Sequence, residues 1–113
     1  MRKLLLSFVV VAVVGTAAAQ ALAATRSVKI GDNFFVARHD HSITVHKGAR
    51  VRWRNSGSSM HNVVVTRGPV HFRSNGYLFH GDTFTHRFKR KGTYKIICTV
   101  HAPNMKMTLK VVS

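Results

Sequence analysis

The chain has 113 residues, a length that suits one small domain and leaves no room for two. Its three acidic residues argue against catalysis by paired carboxylates, and its single cysteine excludes an internal disulfide. The formal charge of +15 indicates a polyanionic partner, an acidic protein or an anionic surface, while the 45% hydrophobic fraction excludes a disordered polybasic tail.

The first 23 residues have the layout of a secretory signal peptide. A basic start precedes an apolar run, and a small-residue stretch ends at Ala21-Leu22-Ala23. Small side chains at these positions are typical of a cleavage site. We therefore predict a signal peptide over residues 1–23, a mature domain over residues 24–113, and export to the periplasm or the extracellular space. The alternative is an uncleaved membrane anchor, because residues 4–24 are just long enough to span a bilayer.

The rest of the chain shows the two-residue alternation that is typical of half-buried strands. In chain order, the residues on the apolar faces are Val28 and Ile30; Ile43 and Val45; Val51 and Trp53; Val63 and Val65 with His61; Phe84, His86 and Phe88; Tyr94, Ile96 and Cys98; and Met107, Leu109 and Val111. Turn residues such as Gly31-Asp32-Asn33, Asn75-Gly76 and Lys91-Gly92 separate these stretches at short intervals. The pattern predicts an all-β domain, an antiparallel Greek-key sandwich of about seven to eight strands.

Side chains that can bind a metal ion are close together near the C-terminus, where Cys98, His101 and Met105 lie within eight residues. The cysteine ends one predicted strand and Met107 begins the next, so the loop between them can direct a thiolate, an imidazole and a thioether to one point. A second imidazole is available at His61. Two histidines and a cysteine with a weak axial methionine form the blue-copper arrangement. Zinc is the main competitor for such a set, and the thioether argues against zinc.

Four runs along the chain carry a family resemblance. They are Ile43-Thr44-Val45 with Gly48, Val51, Trp53 and Asn55; His61-Asn62-Val63; Gly81 with Thr83 and Phe84; and Gly92-Thr93-Tyr94 leading into Cys98-x-x-His101. In this order they resemble the cupredoxins, and within them the small plastocyanin, pseudoazurin and amicyanin group. The resemblance implies a cupredoxin-like sandwich that binds one copper ion.

The resemblance also implies roles for single residues. The implied copper ligands are His61, Cys98, His101 and Met105. Asn62 is expected to hydrogen-bond across to Thr99, and His101 is expected to be the electron port at the surface. Met107 is a rival axial ligand, but it continues an inward-facing strand pattern, so Met105 is preferred.

The predicted function is that of an exported, mononuclear type 1 copper protein, not an enzyme, which shuttles single electrons between redox partners. The first alternative is a copper carrier or chaperone that uses the same site. The second is a basic surface-binding protein whose copper is only structural. A thiol nucleophile at Cys98 lacks an acidic orienting group, and a multicopper oxidase would need a further copper cluster and more domains.

The remaining basic side chains and histidines have weaker interpretations. Arg50, Arg52 and Arg54 share an outward strand face, which is either a solvated face, a docking site for an acidic redox partner, or one for an anionic membrane. We expect a monomer without a nucleic-acid partner. Six further histidines are interpreted as surface or half-buried residues: His39, His41, His46, His71, His80 and His86. His39 and His41 are alternate strand residues that could form a minor copper or zinc site.

Overall fold

Residues 25–36 and 41–113, which the computed structural model describes, form eight β-strands and no helix. The strands are β1 (Thr25–Gly31), β2 (Phe34–Val36), β3 (Ser42–His46), β4 (Arg50–Asn55), β5 (Val64–Arg67), β6 (Thr83–Arg87), β7 (Gly92–Ile97) and β8 (Lys106–Val112). They build two four-stranded sheets, ordered β2-β1-β4-β6 and β3-β8-β7-β5. The predicted β-sandwich is therefore confirmed.

The N-terminal prediction lies outside these ranges, since the proposed signal peptide occupies residues 1–23. The described residues form no helix that is long and apolar enough to cross a membrane. Cleavage and anchoring therefore both stay predictions.

Both sheets are mixed, which differs in detail from the wholly antiparallel pairing expected from the sequence. β1 runs parallel to β4 and β3 runs parallel to β8, while the other pairs are antiparallel. A parallel pair needs a crossover connection rather than a tight turn. The opposite sheet supplies it: the chain leaves β1, forms β2, passes through β3 and returns as β4. Alternation reveals which face of a strand is buried but not the direction of its neighbour.

The core lies between the sheets and contains the apolar faces predicted from alternation. Trp53 is fully buried at its centre, and its ring lies 5.8 Å from Phe84 and 6.4 Å from both Phe72 and Phe88, measured between centroids. The indole N–H of Trp53 donates to the sulfur of Met107 at 3.4 Å. Burying each large apolar side chain stabilises the fold by about 1.5–3 kcal/mol, so this core holds the two sheets, and the loops at their ends, in register.

The three-residue strand β2 has no counterpart among the predicted strands. A two-residue turn, Asp32-Asn33, joins it to β1, and Gly31 pairs with Phe34 across that turn. Asn33 has a φ of 75°, a conformation that asparagine tolerates better than most residues and that short hairpins require. The turn was visible in the sequence, but a three-residue strand is too short for alternation to reveal it. The hairpin formed by β1 and β2 places Asp32 at the end of the sandwich.

Candidate metal centre

Three side chains from separate parts of the chain meet at one end of the sandwich. His61 follows β4, Cys98 follows the last residue of β7, and His101 lies in the loop between β7 and β8. Their donor atoms all lie within 4.8 Å of one another. The Cys98 sulfur is 3.8 Å from Nδ1 of His61 and 3.9 Å from Nδ1 of His101. His61 and Cys98 are fully buried, whereas His101 is half-buried.

This spacing fits a single metal ion. Metal–sulfur and metal–nitrogen bonds of about 2.0–2.3 Å place the donors of a shared ion about 3.5–4 Å apart. Both histidines turn the same ring atom, Nδ1, toward the cysteine sulfur. Two imidazoles and a thiolate suit copper in both oxidation states, because the thiolate favours Cu(I) and imidazole accepts Cu(II).

His61 is fixed in both its backbone and its ring. Its backbone N–H donates to the carbonyl of Leu78 at 3.0 Å and its carbonyl accepts from the N–H of Leu78 at 2.7 Å. The ring nitrogen Nε2 lies 3.4 Å from Oδ1 of Asp32. A proton on Nε2 satisfies that carboxylate and leaves the lone pair of Nδ1 facing Cys98. Burial lowers the pKa of His61, which favours the neutral ring that binds metal.

Asp32 is a site residue that sequence reasoning missed. Besides His61, its carboxylate accepts from the backbone N–H groups of Ser58 at 3.1 Å and Ser59 at 3.0 Å, and from the Ser58 hydroxyl at 3.2 Å. These backbone donors hold the pKa of Asp32 well below its usual range. A side chain at Gly57 would collide with the carboxylate, so glycine permits the close approach. The sequence showed Asp32 only as a turn residue, because its partners lie 26 or more positions away.

The loop that carries Cys98 and His101 is held from two directions. The side chain of Asn62 donates to the Thr99 hydroxyl at 2.8 Å and accepts from the Thr99 backbone N–H at 2.8 Å, which confirms the predicted link. Inside the loop, the N–H of Cys98 donates to the carbonyl of Met105 at 3.0 Å, and the N–H of Met105 donates to that of His101 at 3.4 Å. The loop is therefore closed on itself and tied to the segment between β4 and β5 that bears His61.

The methionines near the site differ in their surroundings. Met105 is fully buried at the end of the loop and bonded through its backbone to Cys98 and His101. The sulfur of Met107 accepts the Trp53 hydrogen bond inside the core. Met60, which precedes His61, is 39% exposed. The structure thus brings together three of the four predicted ligands, and the axial role of Met105 stays a prediction.

The other described histidines agree with their interpretation as surface or half-buried residues. His41, His46, His71 and His80 are exposed, and His86 is half-buried against the ring of Phe72, at 3.7 Å between centroids. His39 lies outside the described residues, so the minor metal site that it would share with His41 is not tested.

The similarity of this chain to known proteins agrees with the geometry of the metal centre. Residues 24–112 match the family described as copper binding proteins, plastocyanin/azurin family. Among solved structures, the Cu-containing nitrite reductase NirK from Thermus scotoductus SA-01 is similar at 25% identity and a TM-score of 0.68, with 79% of this chain and 22% of that chain covered. The present chain thus spans only a small part of that enzyme.

Two smaller proteins share the fold over most of their length. A purple cupredoxin from Nitrosopumilus maritimus is 23% identical with a TM-score of 0.65, over 76% of this chain and 98% of that chain. Amicyanin from Paracoccus versutus is 23% identical with a TM-score of 0.66, over 77% and 80%. The match over residues 24–112 shows that the chain belongs to the plastocyanin/azurin family of copper-binding proteins, and His61, Cys98 and His101 are positioned to bind one copper ion.

Proposed function

We propose that the protein is an exported electron carrier whose single type 1 copper is held by His61, Cys98 and His101, with Met105 as a weak axial ligand. The observation that carries the proposal is the convergence of the three donor atoms within 4.8 Å. When bound, copper supplies a one-electron couple. The Asp32 contact to His61 and the Asn62 contacts to Thr99 hold the donors in place, so little rearrangement is needed when an electron moves.

Support for Met105 comes from the occupation of its rival. The sulfur of Met107 is engaged by the indole N–H of Trp53 in the core. Met105 is buried and joined through its backbone to Cys98 and His101. Its position in the closed loop therefore favours Met105 as the thioether donor.

His101 is the proposed contact through which electrons leave the site. It is half-buried, and the two residues that follow it, Ala102 and Pro103, are exposed. An imidazole that is bound on its inner side and reaches the surface on its outer side gives a short route to a docked partner. The formal charge of +15 favours a redox partner with an acidic docking surface.

A carrier role and an enzymatic role receive less support. A copper carrier must open its site for transfer, whereas hydrogen bonds tie both sides of this site to the sandwich. Catalytic metal sites keep an open position for substrate, whereas three donors and the buried Met105 would surround the ion here. We therefore infer electron transfer without substrate turnover.

The test is the visible and EPR spectrum of the purified protein after one equivalent of Cu(II). We expect an intense blue band and narrow copper hyperfine splitting, because a thiolate–copper bond produces both. Cys98→Ser should bind Cu(II) without the blue band. A pale wild-type sample with wide splitting would contradict the proposal. Fast copper transfer to a chelator, combined with slow electron self-exchange, would favour the carrier instead.

A further inference from the structure

The outer surface of the first sheet carries a regular grid of basic and hydroxyl side chains. Residues that pair directly across neighbouring strands point to the same face of a sheet. The register places three rows across β1, β4 and β6: Lys29, Arg54 and Thr83; Ser27, Arg52 and Thr85; and Thr25, Arg50 and Arg87. All nine side chains are exposed. We call this surface the arginine face.

The five cations of the arginine face have no partner among the described residues. None of their side chains has a hydrogen bond or an ion pair there. The two described acidic side chains are engaged elsewhere, Asp32 with Ser58 and Ser59, and Asp82 with the N–H of Phe79. Arg50 lies directly opposite Arg87, and Lys29 opposite Arg54. Like charges in direct opposition destabilise a sheet, so a bound anion would relieve this repulsion.

The spacing of the grid suits an array of phosphate groups. Alternate residues of one strand lie about 6.6 Å apart and neighbouring strands about 4.8 Å apart, so the cations cover an area of roughly 13 by 10 Å. Guanidinium groups bind phosphate through two parallel hydrogen bonds, which ammonium groups cannot do. The hydroxyls of Ser27 and Thr85 flank Arg52 and add further donors.

The side chains of the arginine face distinguish a lipid surface from a protein partner. The centre of a protein–protein interface normally contains aromatic or apolar anchors, and none of the nine residues of this face is apolar. Such residues are exposed outside these nine positions: Tyr77, Phe79 and Val100 near the metal centre, and Phe34 on β2 at the edge of the same sheet. A basic face whose nine residues include no apolar anchor suits lipid phosphates, which can move laterally to match the spacing of the cations.

We propose that the arginine face binds the phosphate groups of an anionic lipid bilayer. Side chains stand roughly perpendicular to their sheet, whereas the loop with His101 joins the ends of β7 and β8. A molecule that lies with the arginine face on the bilayer therefore leaves the His101 end free for a partner that diffuses along the same surface. This inference concerns the surface alone and does not depend on the proposed electron transfer.

The test is co-sedimentation of the metal-free and the copper-loaded protein with vesicles of 30% phosphatidylglycerol in phosphatidylcholine. We expect equal binding of both forms, a steep loss of binding with salt, and no binding to pure phosphatidylcholine. Each cation near the surface contributes about a fivefold gain in partitioning. The triple variant Arg50→Gln, Arg52→Gln, Arg54→Gln should therefore bind about a hundredfold more weakly. If this variant fails to fold, Arg52→Gln alone should bind the anionic vesicles about fivefold more weakly than the wild type.

The matched control removes the same charge from the opposite sheet. Lys95, Lys106 and Lys110 lie on the outer face formed by β7 and β8. Two sheets pack about 10 Å apart, so these lysines are farther from the bilayer than the Debye length of about 8–10 Å. Their triple change to glutamine should lower binding less than fivefold. Equal losses in the two triple variants, or no binding of the wild type to anionic vesicles, would overturn the proposal. An arginine effect seen only with an acidic redox protein would assign the face to that protein.

Discussion

Asp32 and His61 form the contact through which a carboxylate acts on the metal centre. Asp32→Asn keeps one oxygen that accepts from Ser59, but it places an amide NH2 group opposite the N–H of Ser58 and removes the negative charge beside the His61 ring. Loss of such a partner typically weakens metal binding 10–100-fold, and the doubly charged ion should lose more than Cu(I). A tenfold preferential loss of Cu(II) raises the reduction potential by about 59 mV.

Protein-film voltammetry and Cu(II) competition titration measure this effect, and Asp82→Asn is the matched control. Asp82 is also a turn carboxylate that accepts a backbone N–H, in its case from Phe79. The control should leave the potential within a few millivolts of the wild type. Equal shifts in the two variants would indicate a general charge effect and remove the positioning role of Asp32.

The two methionines make opposite predictions for the axial position. Met105→Leu should retain copper and change the potential, because it removes the proposed thioether donor while preserving volume. Met107→Leu should leave the blue spectrum unchanged and lower the stability by about 1 kcal/mol, since the Trp53 N–H loses its acceptor. Voltammetry together with urea unfolding separates the two effects. A potential that responds to Met107→Leu alone would show that the axial assignment is wrong.

At the level of structural elements, the link between Asn62 and Thr99 joins the metal loop to the segment between β4 and β5 that carries His61. Asn62→Ala should lower the free energy of unfolding by about 1–3 kcal/mol, because it leaves the Thr99 backbone N–H without its partner. Thr99→Val removes only the hydroxyl and should cost less. Urea unfolding of both variants and of the double variant measures the coupling. The double variant should lower the free energy of unfolding by less than the sum of the two single variants. Additive effects would show that the two residues do not act as a unit.

Most elements could be predicted from alternation, and the exceptions have physical causes. Strand β4 was evident because Val51 and Trp53 alternate with arginines, and the structure buries both of them. The three-residue strand β2 contains too few positions to show a period. The parallel partners of β1 and β3 were not predicted, because the side-chain period of a strand is the same in parallel and antiparallel sheets.

For the molecule as a whole, the sign of one pKa shift predicts how stability depends on pH. Burial against Phe72 lowers the pKa of His86 below its usual value near 6.5. The folded state therefore binds fewer protons than the unfolded state. The free energy of unfolding is thus highest above pH 6.5 and decreases as the pH falls below that value. Urea unfolding of the metal-free protein at pH 7.5, 6.5 and 5.5 should show this loss. His86→Phe, which keeps a ring on Phe72, should reduce the slope; an unchanged slope would assign it to other groups.

The sequence by itself determined the sandwich, its buried faces and the chemistry of the loop. These properties are local: a strand shows its buried face every second residue, and Cys98, His101 and Met105 are near enough in the chain for one loop to gather them. His61 lies 37 positions from Cys98 and was assigned through the family resemblance, and the donor distances agree with that assignment.

The tertiary structure alone decided which distant groups support the site and which share a surface. The contact between Asp32 and His61 spans 29 positions, and the arginine face joins three strands through their register. Such placements depend on sheet order and register, which arise from the packing of the whole core and leave no periodic signal in any one segment. The types of metal ligand can therefore be predicted from short stretches of sequence. The position of Asp32 beside His61 and the composition of the arginine face follow from long-range pairing.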